Sequence, residues 1–177
     1  VRIVRHVIPK GLGASFWDGV DHAQGQAVVV LPGDNENIPW EILRYCKLLD
    51  HVDIVIPFIF NKDARSLFRN TLSFLYRFII NSTFLVNFNY TNGTVLYRRS
   101  ILKELDYRSD SFFFQTEYLL RSTAAGFTFA EVPIRIRARL QGKSKALSLK
   151  SLRTLVVEFT RLFLELRIVV PLKSLFS

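Results

Sequence analysis

Methionine is absent from the 177 residues, and cysteine occurs once, at Cys46. A lone cysteine excludes an internal disulfide framework and a thiolate zinc centre, and it fits a reducing compartment. Histidine is scarce, and His6, His22 and His51 show no metal-ligand spacing to one another. The opening Val1-Arg2-Ile3-Val4 reads as a strand from the first residue rather than as a charged-then-apolar leader. Low-complexity tracts and internal repeats are also missing. The uncharged run from Phe78 to Tyr97 is long enough for a bilayer, but Asn81, Asn87, Asn89, Asn92 and Gly93 interrupt it. That run predicts two short strands and a turn. Acidic residues are in deficit, with 15 Asp and Glu against 24 Lys and Arg, a net charge of +9. Such a balance suits a polyanion, an anionic membrane surface or a phosphorylated ligand. What is present is a folded composition: 49% hydrophobic residues, 22% charged and 16 Phe, in a chain long enough to bury its own core.

Strand and helix signals alternate. Val1 to Val7 predicts a strand, Lys10-Gly11-Leu12-Gly13-Ala14 a glycine turn, and Ala14 to Ala23 a helix ended near Gly25. Ala27 to Leu31 is continuous apolar sequence, as in a strand buried on both faces, and Pro39 starts a short helix ending near Leu49. Asp53 to Phe60 predicts another buried strand, and Ala64 to Asn81 an amphipathic helix with Phe68, Leu72, Leu75 and Ile79 on one face. A short helix from Ser100 to Leu105, a helix from Phe114 to Ala125 closed by Gly126, and a strand from Phe127 to Arg137 follow. From Ser148 to Val170 a second amphipathic helix places Leu152, Leu155, Val156, Phe159, Leu162, Phe163 and Leu166 on one arc. The alternation implies an α/β fold with a mostly parallel sheet.

Four clusters carry chemistry. Asp34-Asn35-Glu36 sets two carboxylates in a turn directly after a buried strand, where open α/β sheets bind ligands. Their hard oxygens suit Mg²⁺ or Mn²⁺ on a diphosphate. The plainer alternative is a solvated acidic turn capping the next helix. Arg139-Leu140-Gln141-Gly142-Lys143-Ser144-Lys145 gathers three cations, a hydroxyl and a glycine, a set that can collect phosphate oxygens or simply be a solvated loop. Glu117, in the first turn of a helix, is a candidate base or an ordinary partner of the helix dipole. Arg65 and Arg69 lie one helical turn apart and either bind phosphate or solubilise the helix.

Taken in order, these pieces resemble the middle and end of a family 2 glycosyltransferase, in the branch of dolichol-phosphate mannose synthase. Lys10-Gly11-Leu12-Gly13-Ala14 with Gly19, Ala23 and Gly25 is similar to the family's glycine-rich helix. Val28 to Leu31 followed by Pro32-Gly33-Asp34-Asn35-Glu36 resembles its strand and Asp-x-Asp-x-Gln motif, with Pro32 in the first Asp position and Glu36 in the Gln position. Arg65, then Asn92-Gly93 with Tyr97-Arg98-Arg99, then Glu117, then Val132-Pro133-Ile134 and Arg139-x-x-Gly142-Lys143-Ser144-Lys145, follow in the family's sequence.

The resemblance covers residues 4 to 146 and implies a partial GT-A fold, a mixed and mostly parallel sheet flanked by helices that lacks the first strands. It implies a glycosyltransferase portion over 1–147 and a terminal amphipathic helix over 148–177, the fragment being inactive alone. The implied reaction moves a sugar from a nucleotide-diphosphate donor to a polyprenyl phosphate, with Mg²⁺ or Mn²⁺ as cofactor. The implied roles are Asp34 and Glu36 for metal, Arg65, Lys143, Ser144 and Lys145 for phosphate, and Glu117 and Arg139 for catalysis. A peripheral position at the cytoplasmic face of a membrane follows from the lipid acceptor, and the two amphipathic helices either lie at that interface or pack on the sheet. Transfer to a saccharide hydroxyl, with Glu117 as base, and a non-catalytic relative are the alternatives. A nucleic-acid partner is not expected, since aromatics do not interleave with Lys and Arg on one exposed face.

Overall fold

The computed structural model describes residues 3–105, 107–111, 113–137 and 149–169. The elements in chain order are α1 (Leu12–His22), β1 (Ala27–Val29), α2 (Pro39–Leu43), β2 (Ile54–Ile59), α3 (Leu67–Phe84), β3 (Leu96–Arg98), α4 (Arg99–Glu104), α5 (Phe114–Ala124), β4 (Phe129–Ile134) and α6 (Leu149–Leu164), the last continued by a π turn at Glu165–Val169. The sheet runs β1-β3-β2-β4. β3 is antiparallel to both β1 and β2, while β2 and β4 are parallel. Three strands therefore run one way and β3 alone runs against them.

Proline placement fits that topology. β4 is an edge strand, and the Pro133 carbonyl accepts from the Tyr45 hydroxyl at 3.0 Å on the side away from β2, so the missing N–H costs no ladder bond. Pro57 lies in β2 past its last pairing with β3 at Val55. One core joins α1, α3, α5 and α6 to one sheet face through Phe16, Trp17, Ile80, Phe84, Tyr97, Phe114, Tyr118 and Leu162, and a second packs Ile42, Leu49, Val55, Leu96, Val132 and Ile134 on the other. The terminal amphipathic helix is thus part of the first core.

Several elements differ from the sequence reading. Residues 3–7 form no strand, since the β1 edge ends the sheet and Ile3 and Val7 face solvent. β1 is half-buried rather than buried on both faces, as befits an edge. The expected hairpin after Phe78 is absent: α3 continues to Phe84 and only β3 follows. Leu85 ends the helix in the left-handed conformation at φ 55. Asn81, read as a breaker, instead donates to the Phe88 carbonyl at 2.9 Å and accepts from the Phe88 amide at 3.2 Å, securing the returning chain from within the last turns of the helix.

Candidate functional site

Because β1, β2 and β4 run in the same direction, their carboxyl ends share one edge of the sheet. Three following segments meet there. Asn35 takes the left-handed conformation at φ 58, which an Asn side chain tolerates, and turns the chain after β1. Asp34 Oδ1 accepts the Glu36 amide at 3.2 Å, closing the turn. Past β4, the Arg137 amide donates to the Glu36 carbonyl at 2.8 Å and its guanidinium to Asn35 Oδ1 at 3.1 Å. Past β2, Asn61 donates to the Ile136 carbonyl at 2.9 Å and accepts its amide at 3.0 Å.

The acidic turn faces cations. Arg65, just before α3, reaches Glu36 Oε1 through Nε at 2.9 Å and Nη2 at 2.8 Å, and Arg69, in the first turn of α3, reaches the same oxygen at 3.4 Å. Arg65 also donates to the Tyr90 hydroxyl at 3.1 Å. Glu36 is buried and Arg65 nearly so, which leaves their attraction less screened than in a surface ion pair, at the cost of desolvating both charges. Burial works against the Arg65 charge, but Tyr90 and Glu36 hold its protonation above the ordinary range.

As a donor set, this turn offers hard oxygens: Asp34, and Glu36 Oε2, which takes part in none of the arginine contacts above. Among the described residues no group of three or more His, Cys, Asp or Glu gathers as for a closed metal site. The oxygen donors of the turn are thus two carboxylates, one of them already paired with Arg65 and Arg69, a set that an Mg²⁺ or Mn²⁺ ion would have to complete with ligands from a diphosphate and water.

The other expected site residues divide. Glu117 is on α5 and fully buried, and its carboxylate is engaged toward α6: Oε1 accepts from Arg121 at 3.0 Å and from Arg161 at 3.1 Å. Arg139, Lys143, Ser144 and Lys145 lie outside the described residues. Sequence reasoning missed Asn35, Asn61, Tyr90 and Arg137, whose partners are dozens of residues away. Only Arg137, two residues before Arg139, carried a signal, as one more cation at the end of a predicted strand.

No protein-family model matches the chain. Among solved structures, it is similar to glucosyl-3-phosphoglycerate synthase from Mycobacterium tuberculosis in complex with phosphoglyceric acid, with a TM-score of 0.67 at 16% identity over 92% of this chain and 56% of that one. The same enzyme in complex with Mn²⁺, uridine-diphosphate-glucose and phosphoglyceric acid matches with a TM-score of 0.64 at 16% identity, again over 92% of this chain and 56% of that one. A further mycobacterial protein matches at 0.62 and 18% identity, over 78% of this chain and 47% of that one. The chain has part of a GT-A fold. It spans about half the length of the structures it matches. In this partial GT-A fold, the Asp34–Glu36 turn and its two arginines occupy the carboxyl edge of the sheet, where such α/β sheets hold ligands.

Proposed function

We propose that the chain is the metal and acceptor side of a glycosyltransferase of the dolichol-phosphate mannose synthase kind, which moves a sugar from a nucleotide-diphosphate donor to a polyprenyl phosphate. The observation that carries the reading is the position of α3. Its head delivers Arg65 and Arg69 to the carboxyl edge of the sheet, and its length turns an uncharged apolar face to solvent. Leu67, Phe68, Leu72, Phe74, Leu75, Phe78 and Ile79 are all exposed, from 38% at Leu72 to 83% at Leu67. They share an arc of about 160°, at about 100° per residue, with Arg69 and Arg77 about 60° beyond its two margins.

That geometry fits the interface of an anionic bilayer, apolar groups inward and guanidinium groups at the rim. No Asp or Glu occurs from Ala64 to Lys103, so no carboxylate on this stretch opposes an anionic surface. A lipid-linked phosphate at such a surface comes within reach of the arginines at the head of the helix. No helix of the described residues is long and apolar enough to cross a membrane, and the contact proposed is peripheral.

In the reaction, an oxygen of the acceptor phosphate attacks the anomeric carbon, the bond from that carbon to the donor diphosphate breaks, and the nucleotide diphosphate leaves with the electron pair. A phosphate acceptor is already a nucleophile. No base is required, which agrees with a Glu117 carboxylate buried under two guanidinium groups. Asp34 and Glu36 are the residues that would hold Mg²⁺ or Mn²⁺, which when bound offsets the charge growing on the leaving diphosphate. Arg65, Arg69 and Arg137 place fixed positive charge along the same edge, and Arg139, Lys143, Ser144 and Lys145 extend the phosphate-binding set. The neighbours of known structure carry Mn²⁺ or Mg²⁺ with uridine diphosphate, and phosphoglyceric acid, a small phosphate-bearing acid.

The test is sugar transfer by the full-length protein from nucleotide-sugar donors to dolichyl or undecaprenyl phosphate with Mg²⁺ or Mn²⁺, beside 3-phosphoglycerate as a soluble acceptor. Transfer to the lipid is expected, falling about 100-fold in Asp34→Ala and in Arg65→Ala. Unchanged activity in Asp34→Ala overturns the metal assignment, and transfer to 3-phosphoglycerate alone overturns the lipid acceptor.

A further inference from the structure

Glu117 lies in a ring of charges that the reaction above does not use. Arg121, one turn along α5, donates to Glu117 Oε1 from Nε at 3.2 Å and from Nη2 at 3.0 Å. The same guanidinium grips Glu165 of the π turn at both oxygens, each at 2.7 Å. Arg161 of α6 closes the ring, donating to Glu117 Oε1 at 3.1 Å and to the Tyr107 hydroxyl at 2.8 Å. The Arg121 guanidinium also lies 4.0 Å from the centre of the Tyr107 ring. On α5 the acid precedes the base by one turn, and on α6 the base precedes the acid. Sliding α6 by one turn would set Arg161 against Arg121, so the charges match in one register only.

Tyr107 begins the strap 107–111, which crosses the head of α1. Arg108 is bidentate to Asp21 of α1, with both bonds at 2.6 Å. The strap then lies against the glycine turn: a Cβ at Gly11 would sit 2.7 Å from the Asp110 carbonyl oxygen, and one at Gly13 would overlap the carbonyl of Ser109. Glycine is required at both positions by this close approach. Between strap and helix is a cavity of about 400 Å³ lined by Lys10, Ala14, Trp17, Asp18, Arg108 and Asp110.

We infer that Glu117 is a positioning residue: its carboxylate, shared between Arg121 and Arg161, fixes the register of α6 on α5 and, through Arg161 and Tyr107, holds the strap against the glycine head of α1. Among the described residues, the hydrogen bonds of Glu117 go to Arg121 and Arg161 rather than to the carboxyl edge, and its influence reaches the cavity wall through the strap. The role goes beyond the proposed reaction and replaces the expectation of a base at this position.

The test uses Glu117→Gln, Arg161→Ala and Tyr107→Phe in the full-length protein, with two readouts. Hydrogen exchange does not depend on the proposed reaction. Amides of residues 107–111 and of α6 are expected to exchange roughly tenfold faster in each variant, with the Glu117→Gln/Arg161→Ala pair no faster than either single variant, as for members of one unit. Exchange that is unchanged in Arg161→Ala and Tyr107→Phe overturns the inference, and these two variants at more exposed positions keep the test open should Glu117→Gln fail to fold. In the transfer assay, a positioning role raises KM roughly tenfold with kcat nearly kept and gives a non-additive double variant. A base role is indicated by a loss of kcat of about 100-fold or more in Glu117→Gln while Arg161→Ala stays active. That outcome overturns the inference. Absence of transfer in the parent protein counts against the proposed reaction only, because the exchange result stands by itself.

Discussion

Helices α3 and α6 share one sequence pattern, each with apolar residues at helical spacing and a polar opposite face. The structure uses them in opposite ways. α6 turns Leu155, Phe159, Leu162, Phe163 and Leu166 into the core, where Leu162 is fully buried and Phe159 meets Phe84 edge to face with ring centres 5.5 Å apart. α3 buries only Ile80 and Phe84 and presents most of its apolar arc to solvent. Periodicity shows that a stripe exists and leaves open what the stripe faces. The difference lies in the charges around it. α6 carries Arg161 and Glu165, which find matching partners on α5, whereas the exposed arc of α3 carries no charge and has arginines only beyond its margins.

The largest expected effect tests the core side of this contrast. Leu162→Ala in α6 should destabilise the fold by about 2–5 kcal/mol in chemical denaturation, while Phe78→Ser in the middle of the α3 face should stay within about 0.5 kcal/mol of the parent. Equal losses would show that the α3 face is covered in solution. The lipid side comes next: the pair Phe68→Ser and Phe78→Ser should weaken sedimentation with vesicles rich in anionic lipid by at least about tenfold, given the transfer energy of a buried Phe. Substituting Val156 and Val157 of α6 should leave that binding unchanged, and a matching loss there would erase the distinction between the helices. A smaller effect is expected from Arg77→Glu at the α3 margin, about fivefold or more at low salt and less at high salt, from roughly 1 kcal/mol per cation at an anionic surface.

Local chemistry made much of this fold readable. The Pro39 start and Gly126 at φ 86 place helix ends within a few residues of expectation, because each acts on its own neighbours. Topology was less accessible. Nothing in Leu96-Tyr97-Arg98 announces that β3 enters between β1 and β2 against their direction, since strand order depends on packing rather than on spacing. The candidate site shows the same division. Asp34 and Glu36 stand out as a pair of carboxylates, but the arginines that engage Glu36 are 29 and 33 residues away and meet it only through the fold. Glu117 was visible as a first-turn carboxylate, and its partner Arg161 was not, being 44 residues further along.

Acid distinguishes the two helices through the same ion pairs, and here the expected effect is smallest. The Arg121 hydrogen bond, opposed by some burial, holds the Glu165 carboxyl below its ordinary value of 4.5. A carboxyl depressed in the folded state adds stability that is fully present above its unfolded value and is lost as pH falls through the folded one. The α6 contact should therefore loosen below about pH 4.5, and Glu165→Gln should remove that step from the stability curve while lowering stability slightly at neutral pH. α3 contains no Asp or Glu and has no comparable group of its own. Hydrogen exchange followed from pH 6 down to pH 3.5, corrected for intrinsic rates, should show α6 amides losing protection ahead of those of α3 in the parent and together with them in Glu165→Gln. Simultaneous loss in both proteins would mean that the Arg121–Glu165 pair adds nothing to the hold on α6, and the contrast between the helices would then rest on burial and on the Glu117–Arg161 pair.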